Sequence, residues 1–212
     1  SESTLIIGNL MGADHKLGSM GKPVPLYNVQ LLDSEGNPVD RGETGEICVK
    51  GPMVMLGYYN NPEETAKVID EHGWFHTGDL GYMDDKGHFY ISGRCKNVIV
   101  TSNGKNIYPE ELEYHLSTDT RVGESIVIGD ENKKGETIVA ARIFPNFEEI
   151  KDRYGKDADE YTDEELHDIM DEVVQSVNEK LPPYKRIVDF KIRRTEFVKN
   201  TTSKIMRHKN KD

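Results

Sequence analysis

A lysine set among small hydroxyl residues is a chemical feature before it is a structural one. The chain carries one near its end, in Thr201-Thr202-Ser203-Lys204-Ile205-Met206-Arg207. Small side chains let a loop come close to phosphate oxygens, and the ammonium is a compact charge able to stabilise a phosphoryl transition state. Together with Lys199, Lys209 and Lys211 the same stretch also reads as a solvated basic terminus. A second candidate is Thr77-Gly78-Asp79-Leu80. A carboxylate placed just after a glycine can accept hydrogen bonds from two vicinal hydroxyls, as acidic residues do for a ribose, or it can simply cap a turn. A third is the loop Thr101-Ser102-Asn103-Gly104-Lys105. Asn-Gly supplies a positive φ and lets a ligand approach the backbone, or it marks only a tight turn.

Other chemistry is disfavoured. There is no GxxxxGK[ST] phosphate loop, no GxGxxG, no GxSxG elbow and no HExxH pair. His72 and His76 flank Trp74 in what reads as packing, and no metal site is expected from the histidines. Cys48 and Cys95 are far apart, and neither has a second cysteine at ligand spacing. They read as reduced thiols of a cytoplasmic protein. The formal net charge of −11 over 212 residues argues against non-specific nucleic-acid binding and against docking on anionic lipid. A small anionic ligand needs only a local positive pocket. No apolar stretch approaches the roughly 18 residues of a membrane span, so any membrane association would be peripheral. The chain opens at Ser1 without methionine and reads as a piece of a longer protein.

These residues need elements to position them. Residues 18–92 read as short strands and turns. Val29 to Leu32 runs into Asp33-Ser34-Glu35-Gly36-Asn37, and Gly81-Tyr82-Met83 into Asp84-Asp85-Lys86-Gly87, both with hairpin-turn chemistry. Gly45 to Gly51 alternates apolar and polar residues as a strand does. One helix interrupts, with Asn61 as cap, Pro62 in the first turn and Glu64 three residues past the cap. Several short strands with regular turns suggest a small barrel or sandwich. After Gly93 the pattern changes. Pro109 starts a helix with Glu110 and Glu111 in its first turn, and Ser125–Ile128 and Thr137–Phe144 read as strands. A long helix begins at a Thr162/Glu165 capping box and carries Leu166, Ile169, Met170, Val173, Val174 and Val177 on one face. Val188, Phe190 and Ile192 alternate as a strand, and 151–163 reads as an acidic, solvated connection. The class is α+β: a β-rich, barrel-like subdomain, then a compact α+β unit, joined near Gly93-Arg94-Cys95-Lys96.

The order of the motifs says more than any one of them. Gly45-Glu46-Ile47-Cys48-Val49-Lys50-Gly51-Pro52, Gly57-Tyr58-Tyr59-Asn60-Asn61-Pro62-Glu63-Glu64-Thr65, Gly73-Trp74-Phe75-His76-Thr77-Gly78-Asp79-Leu80, Gly93-Arg94 with Asn103 to Glu113, Leu181-Pro182-Pro183-Tyr184-Lys185 and the terminal Ser203 to Arg207 together resemble the adenylate-forming superfamily. That superfamily includes acyl-CoA synthetases, luciferases and nonribosomal adenylation domains. The resemblance covers the chain from about Gly18, and Lys96 with the Ile107 to Glu113 stretch is most similar to long-chain fatty-acid–CoA ligases. It implies that 1–93 is the remnant of a large N-terminal domain missing here, 94–97 a hinge and 98–212 a mobile C-terminal domain. It implies roles for named residues: Asp79 on the ribose of ATP, Arg94 on the nucleotide, and Lys96 as the hinge. Lys204 would bridge carboxylate and phosphate during adenylation, and Asn103 and Gly104 would line the pantetheine channel.

The implied reaction joins a fatty or other carboxylic acid to CoA through an acyl-adenylate, with ATP and Mg²⁺, and the isolated chain is expected to be inactive. The alternatives are transfer to the phosphopantetheine arm of a carrier protein, or a non-catalytic binding module of the same fold. Two departures stand out. Ser203 occupies a position where the family has glycine, and the Gly/Ser/Thr-rich phosphate loop is absent from the sequence. Glu2 falls near where the resemblance places a metal-binding glutamate. The tail is expected to be mobile without the cleft that it serves.

Overall fold

The computed structural model describes residues 2–3, 6–9 and 15–210. The chain divides into two compact units, Ser1–Lys96 and Asn97–Asp212.

In the first unit β1 (Ile7–Gly8) pairs antiparallel with β2 (Lys22–Pro23). Four further strands follow: β3 (Asn28–Leu32), β4 (Gly45–Lys50), β5 (Phe75–Met83) and β6 (Phe89–Arg94). They form one antiparallel meander in chain order. Among the described residues this sheet is open and does not close into a barrel. Its turns follow from two aspartates. Asp33 Oδ1 accepts from the Glu35 and Asn37 amides, and Asp84 Oδ1 accepts from the Lys86 and His88 amides, so each carboxylate closes its own hairpin. Helix α1 (Pro62–Val68) lies between β4 and β5. Asn61 caps it by accepting from the Glu64 amide at 3.2 Å, and the proline fills its first turn, but no residue of α1 is buried. The apolar core of this unit is small: Ile7, Leu31, Ile47, Val49 and Phe89, with partly buried neighbours such as Met20 and Val39.

The second unit begins with the short hairpin of β7 (Ile99–Val100) and β8 (Asn106–Ile107), followed by α2 (Pro109–Ser117). Strands β9 (Val122–Glu131) and β10 (Thr137–Pro145) pair antiparallel. Helices α3 (Phe147–Tyr154) and α4 (Asp163–Glu179) then cross over to β11 (Asp189–Ile192), which lies parallel to β10. Parallel neighbours require such a crossover. The sheet order β11-β10-β9 makes β10 central, which is why Val139, Ala140, Ala141, Arg142 and Ile143 are all buried. Thr162 and Glu165 exchange the two hydrogen bonds of the expected capping box. Leu166, Met170, Val173, Val174 and Val177 of α4 are buried against Leu112 and Leu116 of α2 and the sheet. Each such side chain contributes about 1.5–3 kcal/mol.

Two expectations fail locally. The connection 151–163 is not simply solvated: its first residues complete α3, which Asn146 caps and Gly155 ends at φ 81, and Tyr161 is buried. Helix α3 offers only Phe147 and Ile150 to the core and is otherwise charged, so its apolar period is too faint to read. Val188 stays exposed, because the strand starts one residue later on a sheet edge. Among the described residues no helix is long and apolar enough to cross a membrane.

Candidate functional site

Asp79 lies midway along β5, after Gly78 at φ 71. That left-handed conformation favours glycine because a Cβ there would crowd the backbone. The turn is held from both sides. The Thr77 hydroxyl donates to Ile47 O at 2.8 Å and accepts from the Asp79 amide at 3.1 Å. The Gly78 amide donates to Glu46 Oε1 at 2.8 Å. Arg94, at the end of β6, stands opposite Asp79 in the sheet register, and its Nε meets Asp79 Oδ1 at 3.0 Å. Its Nη1 donates to Thr77 O at 3.2 Å. Asp79 and Arg94 share a cleft of about 440 Å³ with Glu2, Tyr58, His76 and Thr77. Tyr58 Oη donates to Glu2 Oε1 at 3.3 Å. The cleft therefore combines carboxylates with one guanidinium, a donor set suited to hydroxyls and to phosphate oxygens. Lys96 is exposed in a single 3₁₀ turn, Cys95–Asn97, at the point where the two units part.

In the second unit the expected loop is a tight turn between β7 and β8. The Gly104 amide donates to Thr101 O at 2.8 Å, and Gly104 takes φ 71. A side chain at Gly104 would meet nothing within 4 Å, so the loop tip faces open space. Lys105 Nζ sits 4.6 Å from the centre of the Tyr184 ring, and Lys185 pairs with Glu111 at 2.7 Å.

The tail forms a hairpin. Lys199 and Ile205 form an antiparallel bridge, and the Asn200 amide donates to Lys204 O at 2.9 Å. Asn200 Oδ1 accepts from the Thr202 amide, the Thr202 hydroxyl and the Lys204 amide at 2.8–3.0 Å. Ser203 adopts φ 60, the conformation glycine takes without strain. Two anchors hold the base. The fully buried Asn210 bonds the backbone of Val198 and Met206. Arg207 Nη1 donates to Val127 O at 2.9 Å, and its Nη2 meets both carboxylate oxygens of Glu113, at 2.5 and 2.6 Å. Glu113 in turn accepts from the Val127 amide at 2.6 Å, so the pair satisfies the edge of β9 that β10 leaves open. Burial raises the Glu113 carboxyl above its usual range, although Arg207 opposes the shift. Lys199 is tied to Glu124 and Glu196. Among the described residues Lys204 makes no ion pair, and it is exposed at the hairpin tip. Lys211 lies outside the described residues.

Two residues escaped the sequence reading. Glu46 orients the turn before Asp79. His76, read as packing beside Trp74, points its Nδ1 at Glu46 Oε2 (2.8 Å) and Cys48 Sγ (3.4 Å). Burial and the Glu46 carboxylate push the Cys48 thiol up to about 12. Glu46 and Cys48 are two residues apart, but His76 is distant in sequence, and only the pairing of β4 with β5 brings it to them.

Residues 1–59 match the family model described as AMP-binding enzyme, and residues 96–211 match that of the AMP-binding enzyme C-terminal domain. The chain belongs to the AMP-binding enzyme family. It is 37% identical over 203 residues to a long-chain-fatty-acid–CoA ligase of Bacillus subtilis, covering 95% of this chain and 32% of that protein. It is 42% identical over 147 residues to a medium/long-chain-fatty-acid–CoA ligase of Mycobacterium tuberculosis, covering 68% of this chain and 25% of the relative. Among solved structures, o-succinylbenzoate CoA synthetase of Bacillus subtilis with its acyl-adenylate intermediate superposes with a TM-score of 0.75 at 31% identity, over 93% of this chain and 36% of that one. The same synthetase is also solved with ATP and a magnesium ion. The chain thus spans about a quarter to a third of the length of the curated relatives.

Proposed function

We propose that the chain is the C-terminal part of an ATP-dependent acyl-CoA ligase that converts a fatty acid to its acyl-adenylate and then to the CoA thioester. The observation that carries this reading is Lys204, a lysine without an ion pair among the described residues, presented by a hairpin that Arg207 and Asn210 fasten down. A surface end needs no such anchoring. A phosphoryl-transfer site does, because a charge stabilises a transition state only when its position is fixed beforehand.

In this reading the fatty carboxylate attacks the α-phosphate of ATP and pyrophosphate leaves. Asp79 accepts from the ribose hydroxyls, Arg94 contacts the nucleotide, and Lys204 stabilises charge between carboxylate and phosphate. Glu2, which lines the same cleft as Asp79, would hold Mg²⁺; one carboxylate with substrate phosphates is a common magnesium donor set. Bound there, the ion would neutralise charge on the departing pyrophosphate. Rotation about Lys96 then withdraws Lys204, and the loop of Asn103 and Gly104 admits the pantetheine thiol of CoA, which attacks the adenylate. One enzyme thereby runs two reactions through a hinge.

The test is a panel of carboxylic acids given to the intact protein with ATP and CoA. Fatty acids are expected to yield acyl-CoA, AMP and pyrophosphate together. ATP cleavage that is independent of the acid, or that gives ADP, would contradict the proposal.

A further inference from the structure

The face of β4 opposite its core residues Ile47 and Val49 carries Glu46 and Cys48, two residues apart and so on one side of the strand. Opposite Cys48 on β5 stands His76, and the β4–β5 register shifts between Glu46 and Cys48. One ligand atom from each of the three side chains lies within 4.8 Å of the other two. Hydrogen bonding alone serves this cluster poorly. His76 Nδ1 holds at most one proton, yet it faces Glu46 Oε2 and Cys48 Sγ together. Cys48 has no exposed surface through which water could complete the arrangement.

We propose that Glu46, Cys48 and His76 form a binding site for a thiophilic divalent cation of the zinc class, held through Oε2, Sγ and Nδ1. The Sγ–Nδ1 separation of 3.4 Å is close to the roughly 3.5 Å that a tetrahedral ion with metal–sulfur of about 2.3 Å and metal–nitrogen of about 2.0 Å requires. The 2.8 Å between Nδ1 and Oε2 need open by about half an ångström, and Sγ and Oε2, which lie within 4.8 Å of each other, must come to about 3.5 Å to complete the same geometry. Outer groups orient the ligands, as they do in metal sites generally. Asp70 Oδ2 lies 3.8 Å from His76 Nε2, a second carboxylate placed to face an Nε2 proton once Nδ1 ligates the ion. The Gly78 amide fixes the other oxygen of Glu46. An open cleft lined by Glu46, Asp70, His76 and Thr77 gives entry and room for a water as fourth ligand. The thiolate selects zinc-class ions over magnesium, and binding releases the thiol proton to solvent. Since Glu46 also holds Gly78, an ion here fastens the turn that carries Asp79. The site is independent of the ligase proposal and stands or falls separately from it.

Cobalt(II) titration of the purified 212-residue chain tests this. A thiolate-to-cobalt charge-transfer band is expected to saturate at one equivalent, to resist Mg²⁺ and to be displaced by Zn²⁺. Cys48→Ser should abolish it. Cys95→Ser, which removes the other cysteine, should leave it intact. Because Cys48 is buried, the half-buried His76→Gln provides a second variant, expected to weaken cobalt binding at least tenfold. Asp70→Asn should weaken it about tenfold through ring orientation alone. Absence of the band in the wild-type chain, its survival in Cys48→Ser, or unchanged affinity in His76→Gln would each overturn the site.

Discussion

Lys204 and Ser203 are neighbours with opposite accounts. The lysine is exposed and unpaired among the described residues, while the serine bears the strain of a left-handed φ of 60. Three hydrogen bonds to Asn200 Oδ1 hold the turn despite that strain. Ser203→Gly should therefore stabilise the second unit by about 0.5–1 kcal/mol in denaturant titration, the usual gain from relieving a positive φ. Asn200→Ala should cost about 1–2 kcal/mol by leaving those donors without their acceptor. A loss on Ser203→Gly would show that the serine contributes more than its backbone geometry indicates. Lys204, Asp79 and Arg94 could be named as candidates from the sequence because each lies in a contiguous motif. Glu46 and His76 were not, because their partnership arises only from the pairing of β4 with β5.

At the scale of elements, two arginines, Arg121 buried and Arg207 partly buried, tie helices and strands. Arg207 links the tail to α2 and β9 through Glu113. Glu113→Ala leaves Arg207 with only the more distant Glu110 carboxylate, at 3.7 Å, and the Val127 amide without its acceptor, so a loss of about 2–4 kcal/mol is expected. Limited proteolysis should then cut after Lys204 or Arg207 faster than in the wild type. Arg121 clamps the end of α2 to α3 and α4 through Asp119, Tyr154 and Glu172. The Arg121 hydrogen bonds hold the Asp119 carboxyl below its ordinary 3.8. A depressed carboxyl contributes stability that is complete above the unfolded value and lost as pH falls through the folded one. Wild-type stability should thus drop more steeply below about pH 4 than that of Asp119→Asn, which has no such proton to take up. Equal acid slopes in the two proteins would contradict this. Helices α2 and α4 and most strands were legible from caps and apolar period. Helix α3 was not, because two apolar residues on a charged helix give too weak a period, although Asn146 and Gly155 supplied both of its boundaries. The open edge of the first sheet was also illegible, since strand count and turn chemistry do not distinguish a meander from a closed barrel.

The whole molecule consists of two units with unequal cores. Among the described residues the second buries an extended set of side chains from α2, α4 and the three-stranded sheet, and the first has the smaller core cluster. Chemical denaturation should therefore show two transitions, the first unit melting earlier. Met170→Ala, which empties part of the second core, should lower only the later transition by about 2–4 kcal/mol. A single transition that moves as one would contradict the division. The same division underlies the proposed chemistry, which asks one unit to hold the nucleotide and the other to bring and remove a lysine. Because its sequence carries no Gly/Ser/Thr-rich phosphate loop, the 212-residue chain alone should show no acid-dependent ATP–pyrophosphate exchange. The most direct measurement separates the two half-reactions in the intact enzyme carrying Lys204→Ala. Fatty-acid-dependent ATP–pyrophosphate exchange should fall at least about a hundredfold, while CoA thioester formation from supplied acyl-adenylate stays near the wild-type rate. Equal loss of both half-reactions, or adenylation that survives the substitution, would contradict the account.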